Sequence, residues 1–265
     1  MNEILINGIP LRFPASQPSS EEKQNGCCFL ESGACEECTC SACNSGMVAW
    51  RDENLNLHSR ECECRREARI RLRLKKAGLL ERSRTNRLDT FKTDTDWQKT
   101  LLSSVQRYCS RKEWRSGTGL FLAGQSGAGK SHLAIATSVF AAQHGATPHW
   151  FRWVQDGLML KSLVNDADRY HEAIESFQAA GLLLIDDFWK VEPTTADVRL
   201  AFELVDTRAS MRLPTIITSE RSLAEISMVT GGEAIAGRIA ETCRPYLLEI
   251  NGSDKNYRFF KEDSP

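Results

Sequence analysis

Gly124-Gln-Ser-Gly-Ala-Gly129-Lys130-Ser131 fits the pattern G-x-x-x-x-G-K-[ST] without exception. Glycines let such a loop wrap so that successive backbone N–H groups, here those of Gly127, Ala128, Gly129, Lys130, Ser131 and His132, point at phosphate oxygens. A helix opening at Lys130 adds the positive end of its dipole. The Lys130 ammonium reaches the β- and γ-phosphates of ATP or ADP, and the Ser131 hydroxyl is a ligand for Mg²⁺. Leu182-Leu-Leu-Ile-Asp186-Asp187 supplies the partner acids. An apolar strand buried on both faces carries Asp186 to the C-terminal edge of a sheet, beside the loop, as a second Mg²⁺ ligand. Asp187 follows as the group that orients an attacking water. The competing reading is two carboxylates that cap the next helix.

The chain holds ten cysteines, and eight of them (Cys27, Cys28, Cys35, Cys38, Cys40, Cys43, Cys62, Cys64) fall within its first 64 residues. Cys40-x-x-Cys43 and Cys62-x-Cys64 offer two close pairs of thiolates, which suits tetrahedral Zn²⁺. Gly46 permits a tight turn after the first pair, and Cys64 opens a basic helix whose dipole favours a thiolate. On spacing alone Cys35-x-x-Cys38 is an equal knuckle. Cys27, Cys28, Cys35 and Cys38 form a possible second site, and an Fe–S cluster is a further alternative. His58 reads as a loop residue, and Cys109 and Cys243 as packing thiols.

The elements that position these groups follow from composition. Strands are expected over 119–124, 149–154, 181–186, 214–219, 246–250 and 257–260. Helices are expected over 130–144, 156–163, 169–179, 195–211 and 232–243. Strand–helix alternation predicts an α/β fold with a largely parallel sheet flanked by helices. Residues 1–25 read as a flexible arm, 26–64 as a metal-stapled module poor in core, 65–89 as a basic helical linker ending its first helix at Gly78, and 90–265 as the nucleotide domain. Charge divides the chain. Residues 1–64 carry ten acids against four bases, a net of −6, whereas 65–84 carry nine bases against two acids, a net of +7. The whole chain sums to −1, so any nucleic-acid surface is local. The basic stretch is either a solvated linker or a helix that meets phosphates or a partner. The N-terminus lacks the pattern of a signal peptide, and no apolar run is long enough to cross a bilayer, which predicts a cytoplasmic protein.

GQSGAGKSHLAIA, LLLIDDF, PTIITSE and GRIAETCRPYLLEINGSDKNYRFF together resemble the DnaC-type helicase loaders and the related IstB transposition ATPases, over about residues 90–265. The resemblance implies a AAA+ core without a C-terminal lid domain, and ATP with Mg²⁺ in its site. It matches Thr218 to a sensor that contacts the γ-phosphate or its water, Arg238 to an arginine finger for a neighbouring subunit, and Arg258 to a late nucleotide-sensing arginine. Two departures stand out. Glu220 lies where these proteins often have Asn, and Asp187 replaces a usual Glu, so slow hydrolysis is expected. The helical insertion at about 155–179 lines a single-stranded DNA channel in loaders and initiators. Lys161 and Arg169 are then candidates for phosphates, and Phe151, Trp153 or Tyr170 for base stacking, with core packing the alternative for the aromatics. C-x-x-C…G…C-x-C-R-E is similar to the zinc-binding part of DnaI-type and phage loaders, which selects Cys40, Cys43, Cys62 and Cys64.

The expected activity is an ATPase that binds a replicative helicase through residues 26–85, contacts single-stranded DNA and assembles head-to-tail, one subunit's Arg238 entering the next one's site. The alternatives are a transposition regulator on duplex DNA that recruits a transposase, and a zinc-stapled DNA-binding adaptor with a vestigial ATPase.

Overall fold

The computed structural model describes residues 4–6, 9–11 and 46–250, and divides the chain into units at 1–73 and 74–265. The expected strand at 257–260, Arg258, and six of the eight N-terminal cysteines (Cys40 and Cys43 among them) lie outside the described residues.

In the first unit β1 (Ile4–Ile6) pairs antiparallel with β2 (Ile9–Leu11), and β3 (Met47–Arg51) with β4 (Leu57–Glu61), setting Trp50 opposite His58. His58 thus sits on a strand rather than a loop. The helix α1 (Glu63–Lys76) opens with both Cys62 and Cys64 buried. Arg69 makes a two-pronged bond to Glu61, both contacts at 2.8 Å, which ties the helix back to β4. The helix ends two residues before Gly78, whose φ of +71° suits glycine.

The second unit begins with a short helix, α2 (Arg82–Thr85), followed by α3 (Asp96–Arg111). Composition placed no element between Thr90 and Gly119. Yet Leu101, Val105, Tyr108 and Cys109 recur at helical spacing and are all buried, and Thr95 with Gln98 forms a capping box at the start. Then follow β5 (Leu120–Gly124), α4 (Lys130–Gln143), β6 (Pro148–Arg152), α5 (Trp153–Ser162), α6 (Ala167–Gln178), β7 (Leu182–Phe188), α7 (Thr195–Ser210), β8 (Thr215–Ser219), α8 (Leu223–Met228), α9 (Gly232–Cys243) and β9 (Leu247–Ile250). The second expected strand is shorter than expected, because Trp153 already opens α5; an Asp156 carboxylate accepting the Arg152 N–H at 2.7 Å marks the turn into that helix.

The five strands of the second unit form one parallel sheet in the order β6-β7-β8-β5-β9. The chain crosses from β5 to the far edge, returns strand by strand to β8, then passes over β5 to β9. The order reverses at β5 and β8, and a crevice at such a reversal, at the carboxyl ends of the strands, is where α/β sheets bind ligands. Leu182–Ile185 and Ile216–Thr218 are at most 1% exposed, so the central strands are sealed on both faces. Among the described residues no helix is long and apolar enough to cross a membrane.

Candidate nucleotide-binding site

The loop between β5 and α4 bends through three glycines of positive φ: Gly124 (+137°), Gly127 (+78°) and Gly129 (+83°). Two of them also admit close neighbours. A Cβ on Gly124 would lie 2.5 Å from the Ile250 carbonyl oxygen, and one on Gly129 2.6 Å from the Phe91 ring. Gly129 is the N-cap of α4, so the first N–H groups of that helix open at the loop.

The Lys130 ammonium lies inside the loop and donates to the carbonyls of Gly124 at 2.7 Å and Gln125 at 2.8 Å. Burial pushes it below the ordinary lysine value, and the carboxylates of Glu220, Asp187 and Asp186 pull the other way. Glu220 is thus part of the electrostatic surroundings of this lysine.

Behind the loop three side chains meet. The Ser131 hydroxyl donates to Asp186 Oδ1 at 2.7 Å, and the Thr218 hydroxyl donates to the same oxygen at 2.6 Å. Thr218 Oγ1 also accepts the Asp187 N–H at 2.9 Å. Since β8 lies between β5 and β7, its last residues stand where they can bridge the loop and the acid-bearing strand. Asp186 is 9% exposed and retains a second carboxylate oxygen. A hydroxyl and a carboxylate in contact at the mouth of an amide-lined loop are the hard oxygen donors that Mg²⁺ takes.

Asp187 leaves the ladder. The β7–β8 register shifts between Ile185 and Phe188, and Asp187 and Trp189 take φ values of +58° and +48°. Asp tolerates that region, but a fully buried Trp does not do so readily. The bulge points Asp187 out of the sheet, where it pairs with Lys190 at 2.8 Å. Neither Asp caps α7; that role falls to Thr194, whose side chain accepts the Asp197 N–H.

Two features escaped the sequence. Phe91 packs against Gly129 and edge-on to His132, with ring centroids 5.5 Å apart, and His132 Nε2 donates to the Arg87 carbonyl at 2.8 Å. The segment before α3 therefore braces the loop helix. The bulge at Asp187 is equally invisible to a pattern of apolar residues.

Other expected residues lie apart from this cluster. Arg238 on α9 donates to Asp206 at 2.8 Å and Glu241 at 3.0 Å, and its side chain is 41% exposed. Lys161 is bound to Asp197 at 2.7 Å, and Arg169 lies 3.4 Å from Asp166. Phe151 and Trp153 are core residues at 0% and 4% exposure, which removes them as base-stacking groups. Tyr170 donates its hydroxyl to Glu203 at 2.7 Å. The thiols of Cys109 and Cys243 are pushed up to about 12 by burial, as packing residues would be. Cys62 and Cys64 are buried, and among the described residues no three His, Cys, Asp or Glu side chains gather as a metal site.

Known proteins place this geometry. The chain is 26% identical over 214 residues to the uncharacterized protein YqaM of Bacillus subtilis, covering 77% of this chain and 66% of that one. It is 29% identical over 157 residues to a putative ATP-binding protein in an insertion sequence, Rv3427c of Mycobacterium tuberculosis, covering 57% and 61%. It thus spans just under two thirds of either relative's length. The solved structure of the DnaC helicase loader superposes with a TM-score of 0.56 at 22% identity, over 64% of this chain and 99% of that one, a likeness of fold. Residues 33–258 match the IstB-like ATP binding proteins, which takes in the loop, the acids and Thr218. On that match the chain belongs to the IstB-like ATP-binding family.

Proposed function

We propose that this chain is an ATP-hydrolysing DNA-replication factor that binds a replicative helicase and delivers it to DNA, contacting single-stranded DNA and assembling head-to-tail with nucleotide. The observation that carries the catalytic half is the Ser131–Asp186–Thr218 cluster behind the Lys130 loop. The amides of Gly127, Ala128, Gly129 and His132 would cradle phosphate, and Lys130 would exchange its loop carbonyls for phosphate oxygens. Ser131 and Asp186 would hold Mg²⁺, which neutralises charge on the phosphates. Asp187, freed from Lys190, orients water, and Thr218 keeps both acids in place.

The partial exposure of the Arg238 side chain supports a finger that acts on the next subunit, with Arg258 as a nucleotide sensor. Cys40, Cys43, Cys62 and Cys64 would hold Zn²⁺, and the burial of Cys62 and Cys64 at the start of α1 fits a site closed to water.

Two variants test the site. Lys130→Ala should abolish ATP binding, whereas Asp187→Asn should keep ATP and lose hydrolysis. Unchanged ATP affinity in the lysine variant would refute the assignment. Mixing Arg238→Ala with Lys130→Ala subunits should restore part of the activity, and no recovery in any mixture would exclude a finger in trans.

A second reading, a transposition regulator on duplex DNA, is favoured by the insertion-sequence relative. Preference for duplex DNA and a transposase over single strands and a helicase would select it.

A further inference from the structure

The turn that ends β7 is strained at two positions and pinned at three. Asp187 and Trp189 take φ values of +58° and +48°. The Trp189 side chain is also fully buried, and its indole N–H has no hydrogen-bond partner among the described residues. The end of β8 and the residues just beyond it fix this turn one residue at a time. Thr218 Oγ1 accepts the Asp187 N–H at 2.9 Å, the Ser219 hydroxyl donates to the Phe188 carbonyl at 2.9 Å, and Arg221 Nε donates to the Trp189 carbonyl at 3.1 Å. Strain of this kind persists where surrounding bonds over-determine the backbone, and it clusters at sites of function.

What the turn delivers is Lys190. Its N–H closes the turn on the Asp187 carbonyl at 3.2 Å, and its ammonium donates to Asp187 Oδ2 at 2.8 Å. An ion pair for stability alone needs no strained backbone, since one turn of any helix sets residues three apart side by side, and a surface pair adds little. This pair is not sealed: the two side chains are 40% and 38% exposed. Charge links it to the phosphate loop. Burial is the main cause that holds Lys130 below the ordinary lysine value; carboxylates oppose it, and the charge of Lys190 adds to the depression. The two ammonium groups thus repel each other, and an anion placed between them reverses the sign.

We propose that Lys190 senses the terminal phosphate in its own subunit's site: it holds Asp187 when the bound nucleotide is ADP and leaves it for the γ-phosphate of ATP. The exchange is favourable because that phosphate carries more negative charge than one carboxylate and relieves the repulsion between Lys190 and Lys130. The bonds from Thr218, Ser219 and Arg221 keep the backbone of the turn in place, so the lysine side chain alone has to move. Asp187 is then released to orient water only when the phosphate to be attacked is present. ADP lacks that phosphate and leaves the pair intact. The inference rests on the reading of Asp187 as the water-orienting acid and adds what controls it.

Nucleotide affinity tests it apart from turnover. The purified full-length chain is titrated with ADP and with a non-hydrolysable ATP analogue, each with Mg²⁺, as wild type, Lys190→Gln, Lys190→Arg and Asp187→Asn. Lys190→Gln should lose about tenfold in affinity for the analogue and keep that for ADP, and Lys190→Arg should recover most of the loss. Asp187→Asn removes the competing charge, so its preference for the analogue over ADP should exceed that of the wild type. Affinities of Lys190→Gln that both equal the wild type overturn the sensor and make the pair a surface contact. Affinities that fall together overturn it and make the lysine structural. ATP turnover separates the sensor from the reading beneath it. Asp187→Asn that hydrolyses ATP at the wild-type rate overturns the role of Asp187, and the sensor with it. An inactive Asp187→Asn beside a Lys190→Gln of wild-type nucleotide preference overturns the sensor alone.

Discussion

The two units build strands by opposite means. In the parallel sheet of the second unit, β7 is buried at six of seven positions and β8 at all five. In the β3–β4 hairpin Ala49 is the single buried residue of ten. The sheet is held by apolar surface removed from water. The hairpin is held by the Asp52 turn and the Arg69–Glu61 pair. The two regions should therefore fail to different insults.

The largest expected effect is metal removal. If Zn²⁺ binds the four thiolates, its binding energy, on the order of 10 kcal/mol in small modules, is most of the folding energy of the first unit. Chelation, or Cys43→Ser, should unfold residues 46–61 while nucleotide binding by the second unit persists. Circular dichroism with a nucleotide titration reads both. Full retention of the hairpin without metal would mean that polar bonds alone suffice, and the contrast between the units would collapse.

A matched pair of truncations comes next. Leu184→Ala, at 0% exposure in β7, should cost about 2–5 kcal/mol by leaving a cavity in a sealed strand. Leu57→Ala on the hairpin should fall within about 0.5 kcal/mol, since its side chain is already wet. Denaturant titration measures both, and equal costs would break the comparison.

The same contrast explains what could be read from the residues. The run Leu182–Ile185 announces a strand because burial on both faces demands continuous apolar side chains, and the phosphate loop is written in adjacent residues. The Asp186 position follows from the first acid after that apolar run, whereas the resemblance to a known family singles out Thr218. The β3–β4 hairpin buries almost nothing, so it left no apolar alternation to find. Phe91 is likewise silent: its value lies in the absent Cβ of Gly129, 38 positions away. The bulge that turns Asp187 outward depends on Thr218 accepting a backbone N–H, which no local pattern encodes. Lys161 illustrates the converse, since a lysine that looks available to phosphate is held by Asp197, a buried capping residue of α7.

Thr218→Val sharpens the picture within the core. The valine keeps the shape but strips Asp186 of one donor and leaves the Asp187 N–H without its acceptor. Each orphaned buried group costs about 1–3 kcal/mol. Stability should drop by about that much, and hydrolysis should fall further than nucleotide affinity because the acids lose their alignment. Affinity lost in parallel with turnover would mean that Thr218 serves the loop rather than the acids.

The smallest effect belongs to the Asp52 clamp. Bonds from His58 and Asn56 draw its carboxyl down from 3.8 to about 2. A depressed folded value means that the contribution is complete above the ordinary carboxyl range and is lost as pH falls from about 4 towards 2. Asp52→Asn should therefore be slightly less stable than the wild type at neutral pH, and the two should converge in acid. Protonation of other groups acts on both proteins alike and cancels in the difference. The carboxyl carbon resonance of Asp52 reports the clamp directly, with a midpoint near 2. A midpoint at the ordinary 3.8 would mean that the turn is not braced by this side chain, and the left-handed backbone of Leu55 would then be held by the backbone bonds of the turn alone.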